Sequence, residues 1–222
     1  MKAPLIFLGI VATTVAMLFA EETKNPSLKE DFSKGADAWE PTDATAWKIT
    51  EVDGHNKVFE LTKKNSDYKP PHRSPFNIAL RKDLQFGDFE LTAKVKTTHE
   101  SYGHRDLCFF FGHQDASHFY YVHLGQETDD HANQIFIVNG APRTKISTNT
   151  TKGTPWKDDT WHTVKLVRKA STGMIQVYFD NMDTPVMEAT DKTFTTGRIG
   201  VGSFDDTGMW DDIEIVGAPL KK

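Results

Sequence analysis

Residues 89–97, FELTAKVKT, put Phe89, Leu91, Ala93 and Val95 in register against Glu90, Thr92, Lys94 and Lys96. Strand side chains alternate between faces with period two, so this stretch reads as a strand with one face in a core and one in water. The same signal recurs in WHTVKLVRK and MIQVYFDN, which ASTG joins as a hairpin connection. Further strand candidates are KVFELT, DLCFFFGH, HFYYVHLG, NQIFIVN, RTKIS, PVMEA, GRIGVGSF and DDIEIVG, separated by turn residues such as VDGHN, QDAS and FDDTG. No amphipathic helix of convincing length interrupts them. Short strands at this spacing predict an all-β protein: one antiparallel sandwich or barrel of the jelly-roll type.

Residues 1–20 read as a secretory signal peptide, with Lys2 as the positive end and PLIFLGIVATTVAMLF as the apolar segment. An uncleaved anchor is the alternative, because the apolar run approaches the roughly 17 residues that span a bilayer. No second apolar stretch of that length follows. The expectation is a secreted or periplasmic protein in which residues 21–222 form a single domain with no membrane span after cleavage. Cys108 is the only cysteine, so no intramolecular disulfide can staple the fold and the core must hold it. The formal net charge of -5 makes nucleic acid an unfavourable partner.

DFSKGADAWE, FGDFELTAKVK, WHTVKLVRKASTGMIQVYFDN and GRIGVGSFDDTGMWDDIEI follow one another in an order that resembles the concanavalin A-like lectin/glucanase superfamily. The resemblance is to laminin-G-like secreted bacterial domains and those named for 3-keto-disaccharide hydrolysis. It spans nearly all of residues 21–222 and implies a concanavalin A-like jelly-roll sandwich of two antiparallel sheets, with the sugar site on the concave face. In the family 16 glycoside hydrolases of this superfamily a structural calcium ion joins the first strands to the last. That pattern implies Asp211 in WDDIEI, the carbonyl of Gly54 in VDGHN and the nearby Asp31 as ligands. Calcium favours such a mixture of carboxylate and carbonyl oxygens.

Those hydrolases also carry two catalytic carboxylates on one strand in a Glu-x-Asp-x-(x)-Glu pattern, since retaining hydrolysis needs carboxyl groups about 5–5.5 Å apart. The nearest match, ETDDH (Glu127–His131), lacks the closing Glu, which argues against that mechanism.

Six of the nine histidines lie between His99 and His131, among aromatics and arginines. Alternation puts Phe119, Tyr121 and His123 on one face of HFYYVHLG, against His118, Tyr120, Val122 and Leu124. In RDLCFFFGH both parity sets are apolar at the centre, which predicts a strand covered on both sides. If these strands and HANQIFIVN are neighbours, their polar residues line a cleft suited to sugar hydroxyls, with aromatic rings for sugar C–H faces. Histidine titrates near neutrality and tyrosine can act with it in acid/base catalysis. The catalytic candidates are therefore His123, Tyr121 and His118, with Gln134 added by a resemblance of this region to the polysaccharide lyases of the fold. Substrate-binding candidates are Arg105, His104, His113, Tyr120 and His131, with Arg81 and Arg143 to grip a carboxylate.

Polysaccharide lyases on this fold use Arg, Gln, His and Tyr in this way, and NQI resembles part of the alginate lyase Gln-Ile-His segment. Phe136 stands where that family has its His, and its Tyr-rich closing motif is missing. A transition-metal site within HFYYVH is disfavoured, because its two histidines face opposite ways. The Pro-rich NSDYKPPHRSP (residues 65–75) is a loop able to rim a site. Trp39, Trp47, Trp156 and Trp161 are expected in the core, with Trp156 the alternative sugar platform. The sequence thus predicts a carbohydrate-active protein, either glycan-processing (hydrolase or lyase type) or, alternatively, a noncatalytic carbohydrate-binding or adhesion module. The glycan and the oligomeric state are not legible.

Overall fold

The structure is a computed structural model that describes residues 28–221; the expected signal peptide lies outside them. Among the described residues the regular elements are strands and one short 3-10 turn at Ala44–Ala46. The strands are β1 (Leu28–Glu30), β2 (Trp39–Pro41), β3 (Trp47–Val52), β4 (Asn56–Leu61), β5 (Asn77–Arg81), β6 (Leu84–Thr97), β7 (Cys108–Asp115) and β8 (His118–His123). They continue as β9 (Gln134–Asn139), β10 (Thr144–Lys145), β11 (Ser147–Thr150), β12 (His162–Lys169), β13 (Met174–Phe179), β14 (Met187–Thr190), β15 (Arg198–Ser203) and β16 (Gly208–Lys221). One sheet runs β11-β14-β13-β12-β6-β16-β4-β3, with β1 also on β16; the other runs β10-β9-β8-β7-β15-β5-β2.

The two antiparallel sheets pack as a sandwich. From β6, Phe89, Leu91, Ala93 and Val95 point into the shared core, where they join Val164, Leu166, Trp210 and Ile215 of their own sheet. Phe109, Phe111, Tyr120, Val122 and Ile135 meet them from the other sheet. Burial of such apolar surface drives the assembly. The predicted β12–β13 hairpin closes through Gly173 N donating to Lys169 O at 2.8 Å. Gly173 has φ +83, and a Cβ there would lie 2.8 Å from Asp191 O, so glycine suits this turn on two counts.

The seven-stranded sheet carries a second apolar layer on its outer face: Ile78, Leu80, Cys108, Phe110, Phe119, Tyr121, Phe136 and Val138, all buried. The segment between β4 and β5, which contains the Pro-rich stretch, covers it. Tyr68 packs on that layer, Phe76 N donates to Phe204 O at 3.0 Å, and the Phe76 and Phe204 rings meet edge to face. The open cleft expected on this face is therefore filled over much of its length, leaving one cavity at His123 and another at His113.

Candidate functional site

Strands β7, β8 and β9 are neighbours, as the histidine argument requires. Their register sets Cys108 opposite His123 and His123 opposite Gln134, with Phe110, Tyr121 and Phe136 forming the next row. Asp106, just ahead of β7, closes the first row. Its Oδ2 accepts from Cys108 Sγ at 3.1 Å and Phe204 N at 3.0 Å, and lies 3.4 Å from His123 Nε2; its Oδ1 accepts from Ser203 Oγ at 3.1 Å. Burial alone would raise the Asp106 carboxyl, but His123 and these donors hold it below its ordinary value. Burial and the Asp106 charge push the Cys108 thiol well up, so it stays a thiol. His123 is 3% exposed, and its Nδ1 has no hydrogen-bond partner among the described residues.

That imidazole lines a cavity of about 140 Å³ together with His104, His131 and Tyr102. Arg73, Arg143, Phe204 and Asp205 complete the wall. Arg143 Nη1 donates to the Tyr121 hydroxyl at 2.7 Å, and its guanidinium lies 4.2 Å from the Phe204 ring centroid and 4.6 Å from that of Phe136. The Arg73 guanidinium lies 5.8 Å from Phe204, and Arg143 N donates to Arg73 O at 3.0 Å, which ties the covering segment to the β9–β10 connection. Asp129 organises the rim. Its side chain pairs with His104 Nε2 at 2.7 Å and accepts from the backbone of His131 and Ala132, while its carbonyl accepts from Gln134 Nε2 at 2.8 Å.

Behind the pocket, Asp106, Asp205 and Asp206 bring carboxylate oxygens within 4.8 Å of one another. Asp206 is fully buried; Tyr102 donates to both of its oxygens at 2.9 Å, and Asp106 N donates to Oδ2 at 2.9 Å. Burial first, and then the Asp106 charge, push its pKa up to about 6. The same two causes raise Asp205.

The pocket thus gathers His123, His104, His131 and Arg143, with Tyr121 beneath Arg143 and Gln134 beside His123. Tyr121 is fully buried and burial pushes its phenol well up, so it holds Arg143 rather than meeting a ligand. The other candidates lie elsewhere. Tyr120 faces the shared core and bonds Asp191; His118 belongs to the opposite face of β8, where Nδ1 pairs with Asp115 at 2.8 Å. Arg105 is buried against Asp158 and the carbonyl of His99, and Arg81 donates to the carbonyl of Ala38. His113 lies farther along the outer face, stacked on Phe119, in a separate cavity with Arg198 and Glu40. Tyr120, His118, Arg105 and Arg81 are taken up by carboxylates and backbone carbonyls, which strand parity does not reveal. Trp156 is also structural: it is 7% exposed and donates to Leu124 O.

Asp106, Asp205, Asp206, Tyr102 and Arg73 were not singled out in the sequence. Asp205 and Asp206 sit in FDDTG, which reads as an ordinary turn; the only available sign for Arg73 is its place in the Pro-rich loop.

On the nine-stranded sheet, Asp211 is 5% exposed at a bulge in β16, accepting from Asn56 Nδ2 at 2.7 Å and Asp212 N at 2.8 Å. Asn56 follows the β3–β4 turn that contains Gly54 (φ +85). Asp31 and Asp212 line one cavity, and the charges of both act on the Asp211 carboxyl, which burial raises. None of the three has an ion-pair partner among the described residues.

No family model matches the chain, and no curated protein does. Among solved structures, the carbohydrate-binding module CBM66 from Bacillus subtilis superposes with a TM-score of 0.59 at 17% identity, over 81% of this chain and 96% of that one. Domain 4 of AbnA, an extracellular arabinanase from Geobacillus stearothermophilus solved with arabinotriose, gives 0.57 at 12% identity over 88% of this chain and 94% of that one. The lumenal domain of VIP36 in its Ca2+/Man3GlcNAc-bound form gives 0.51 at 13% identity, over 87% of this chain and 88% of that one. At such identities the likeness speaks for architecture, and with the sheet order above it establishes that the chain has the jelly-roll fold of the concanavalin A-like lectins and glucanases.

Proposed function

We propose that the protein is a secreted, single-domain carbohydrate-active protein that takes a sugar into the His123 pocket and processes it with His123 as general base. The observation that carries this reading is the His123–Asp106 dyad. One ring nitrogen is held beside a buried, ionised carboxylate, and the other, itself buried, has no hydrogen-bond partner among the described residues, on a side chain that lines the pocket. A base oriented by a third group is the recurring arrangement of acid/base catalysis. Asp106 would stabilise the imidazolium formed when Nδ1 takes a proton, while His104 and His131 offer donors and acceptors to sugar hydroxyls. The arabinotriose bound to the arabinanase domain and the Man3GlcNAc bound to VIP36 support the substrate class. Extracellular neighbours and the apolar Met1–Ala20 segment support export, and among the described residues no helix is long and apolar enough to cross a membrane.

Noncatalytic recognition is the second reading, favoured by the cavity of about 140 Å³, which is small beside the roughly 300–1,000 Å³ of typical ligand pockets. Incubating the purified protein with a panel of neutral and acidic polysaccharides separates the two. Reducing ends, or the ultraviolet absorbance of an unsaturated uronate, appear with one polymer and are lost in His123→Asn if the base assignment holds. Retarded migration in a polymer-containing gel without product supports recognition alone.

Calcium fits the second acidic site. Asp31 and Asp211 would supply carboxylates and Gly54 a carbonyl, a donor set of the kind this ion prefers, and the buried Asp211 carboxylate, which has no ion-pair partner among the described residues, supports a cation there. Its role would be structural.

A further inference from the structure

We infer that the sugar accepted by the pocket carries an anionic substituent, a carboxylate or a sulfate, gripped between Arg73 and Arg143. This rests on the reading of the pocket as a sugar site and names the class of sugar.

Arg143 is the anchor. Its guanidinium is held by the Tyr121 hydroxyl and by the faces of Phe136 and Phe204, so its orientation is set before any ligand arrives. Those contacts are neutral. A guanidinium has five N–H donors, and one of them is committed to Tyr121. Arg73 approaches the same Phe204 ring from the covering segment. Among the described residues neither arginine forms an ion pair, in contrast to Arg105 and Arg198, which both do. Both guanidinium groups line the same small cavity, where two like charges favour an anion, and the planar fork matches carboxylate or sulfate oxygens.

The rest of the wall agrees. His104, His123 and His131 add three imidazoles, and Asp205 is the sole carboxylate among the lining residues. Asp205 lies beside Asp106, and burial first, then the Asp106 charge, raise its pKa. The neighbouring carboxylates are occupied: Asp206 accepts from Tyr102, and Asp106 takes the donors of the His123 row. The arginines are therefore left for a ligand. In strand terms, the seven-stranded sheet supplies the aromatic floor, and two connections, one before β5 and one after β9, each deliver a cation to it.

The test is calorimetric binding of the full protein to polygalacturonate, a sulfated galactan, and neutral arabinan and levan, with Arg73→Gln, Arg143→Lys and His123→Asn variants. The expected result is binding of an acidic polymer, weakened by added salt, with affinity about tenfold lower in Arg73→Gln, the loss of one charge-assisted hydrogen bond. Arg73 is an exposed side chain, so that variant keeps its fold even if Arg143→Lys does not. Competition by free galacturonate or by sodium sulfate tells the carboxylate from the sulfate. Equal binding of a neutral polymer, lost in His123→Asn but indifferent to Arg73→Gln, overturns the anionic assignment and leaves the sugar site standing. Acidic binding that ignores all three substitutions places the anion elsewhere and also overturns it. No binding of any polymer defeats the sugar reading itself.

Discussion

His113 and Asp206 are both buried in the seven-stranded sheet's surroundings and both are pushed toward their neutral forms, which gives them opposite effects on stability. Burial, followed by the charge of Arg198, lowers His113 from 6.5 to about 4. The folded state therefore binds fewer protons than the unfolded chain between those values, and the contribution present above pH 6.5 is lost as pH falls through about 4. Asp206 is raised from 3.8 to about 6, so its contribution is present below pH 3.8 and lost as pH rises through about 6. Across the shared window the two slopes offset. The melting temperature of His113→Phe, which keeps the stack on Phe119, should fall as pH is raised from 4 to 6, whereas that of Asp206→Asn should rise over the same range. Parallel pH profiles for the two variants would show that these groups do not carry the shifts.

The elements that shape the site are a glycine strand and an irregular cover. In β15, Gly200 and Gly202 face the aromatic layer, where a Cβ on Gly202 would run into the carbonyl oxygen of Asn77 and press to 3.1 Å from the Phe110 ring. Overpacking of this kind costs about 1–3 kcal/mol. Gly202→Ala should therefore lower the melting temperature, by about 2–4 °C per kcal/mol for a chain of this size, and loosen the Cys108–His123 row that β15 adjoins. An unchanged melting temperature and unchanged ligand binding would count against this packing. Much of this layer was legible. The doubly apolar DLCFFFGH reads as a strand covered on both faces, because burial on both sides leaves both parity sets apolar. The cover carries no such signal. NSDYKPPHRSP has no periodicity, so its course over Phe110 and Tyr121, and the delivery of Arg73 to the pocket, arise from tertiary packing alone. Parity likewise placed His123 and Tyr121 on one face correctly, yet it could not tell Arg143, which lines the pocket, from Arg81, which is consumed by a backbone carbonyl.

At the scale of the molecule, β16 is the long strand that pairs with β1, β4 and β6, so it ties the first described strand to the middle of the nine-stranded sheet. Its bulge at Asp211 interrupts that tie: the ladder with β6 breaks between Asp211 and Glu214, and Asp212 adopts φ +46. An ion held there by Asp31, Asp211 and Gly54 would bridge the β1 end, the β3–β4 turn and β16, replacing the lost ladder bonds with oxygen–metal contacts. Binding to the folded state alone stabilises it by RT ln(1 + [L]/Kd), about 2.7 kcal/mol at a hundredfold excess over Kd. Calcium should therefore raise the melting temperature and chelator should reverse the rise. Asp211→Ala should abolish the response, while Asp206→Asn, near the sugar pocket, should keep it. Loss of the response in Asp206→Asn with retention in Asp211→Ala would move the ion to the three carboxylates behind the pocket and leave β16 held by its ladder and core contacts alone.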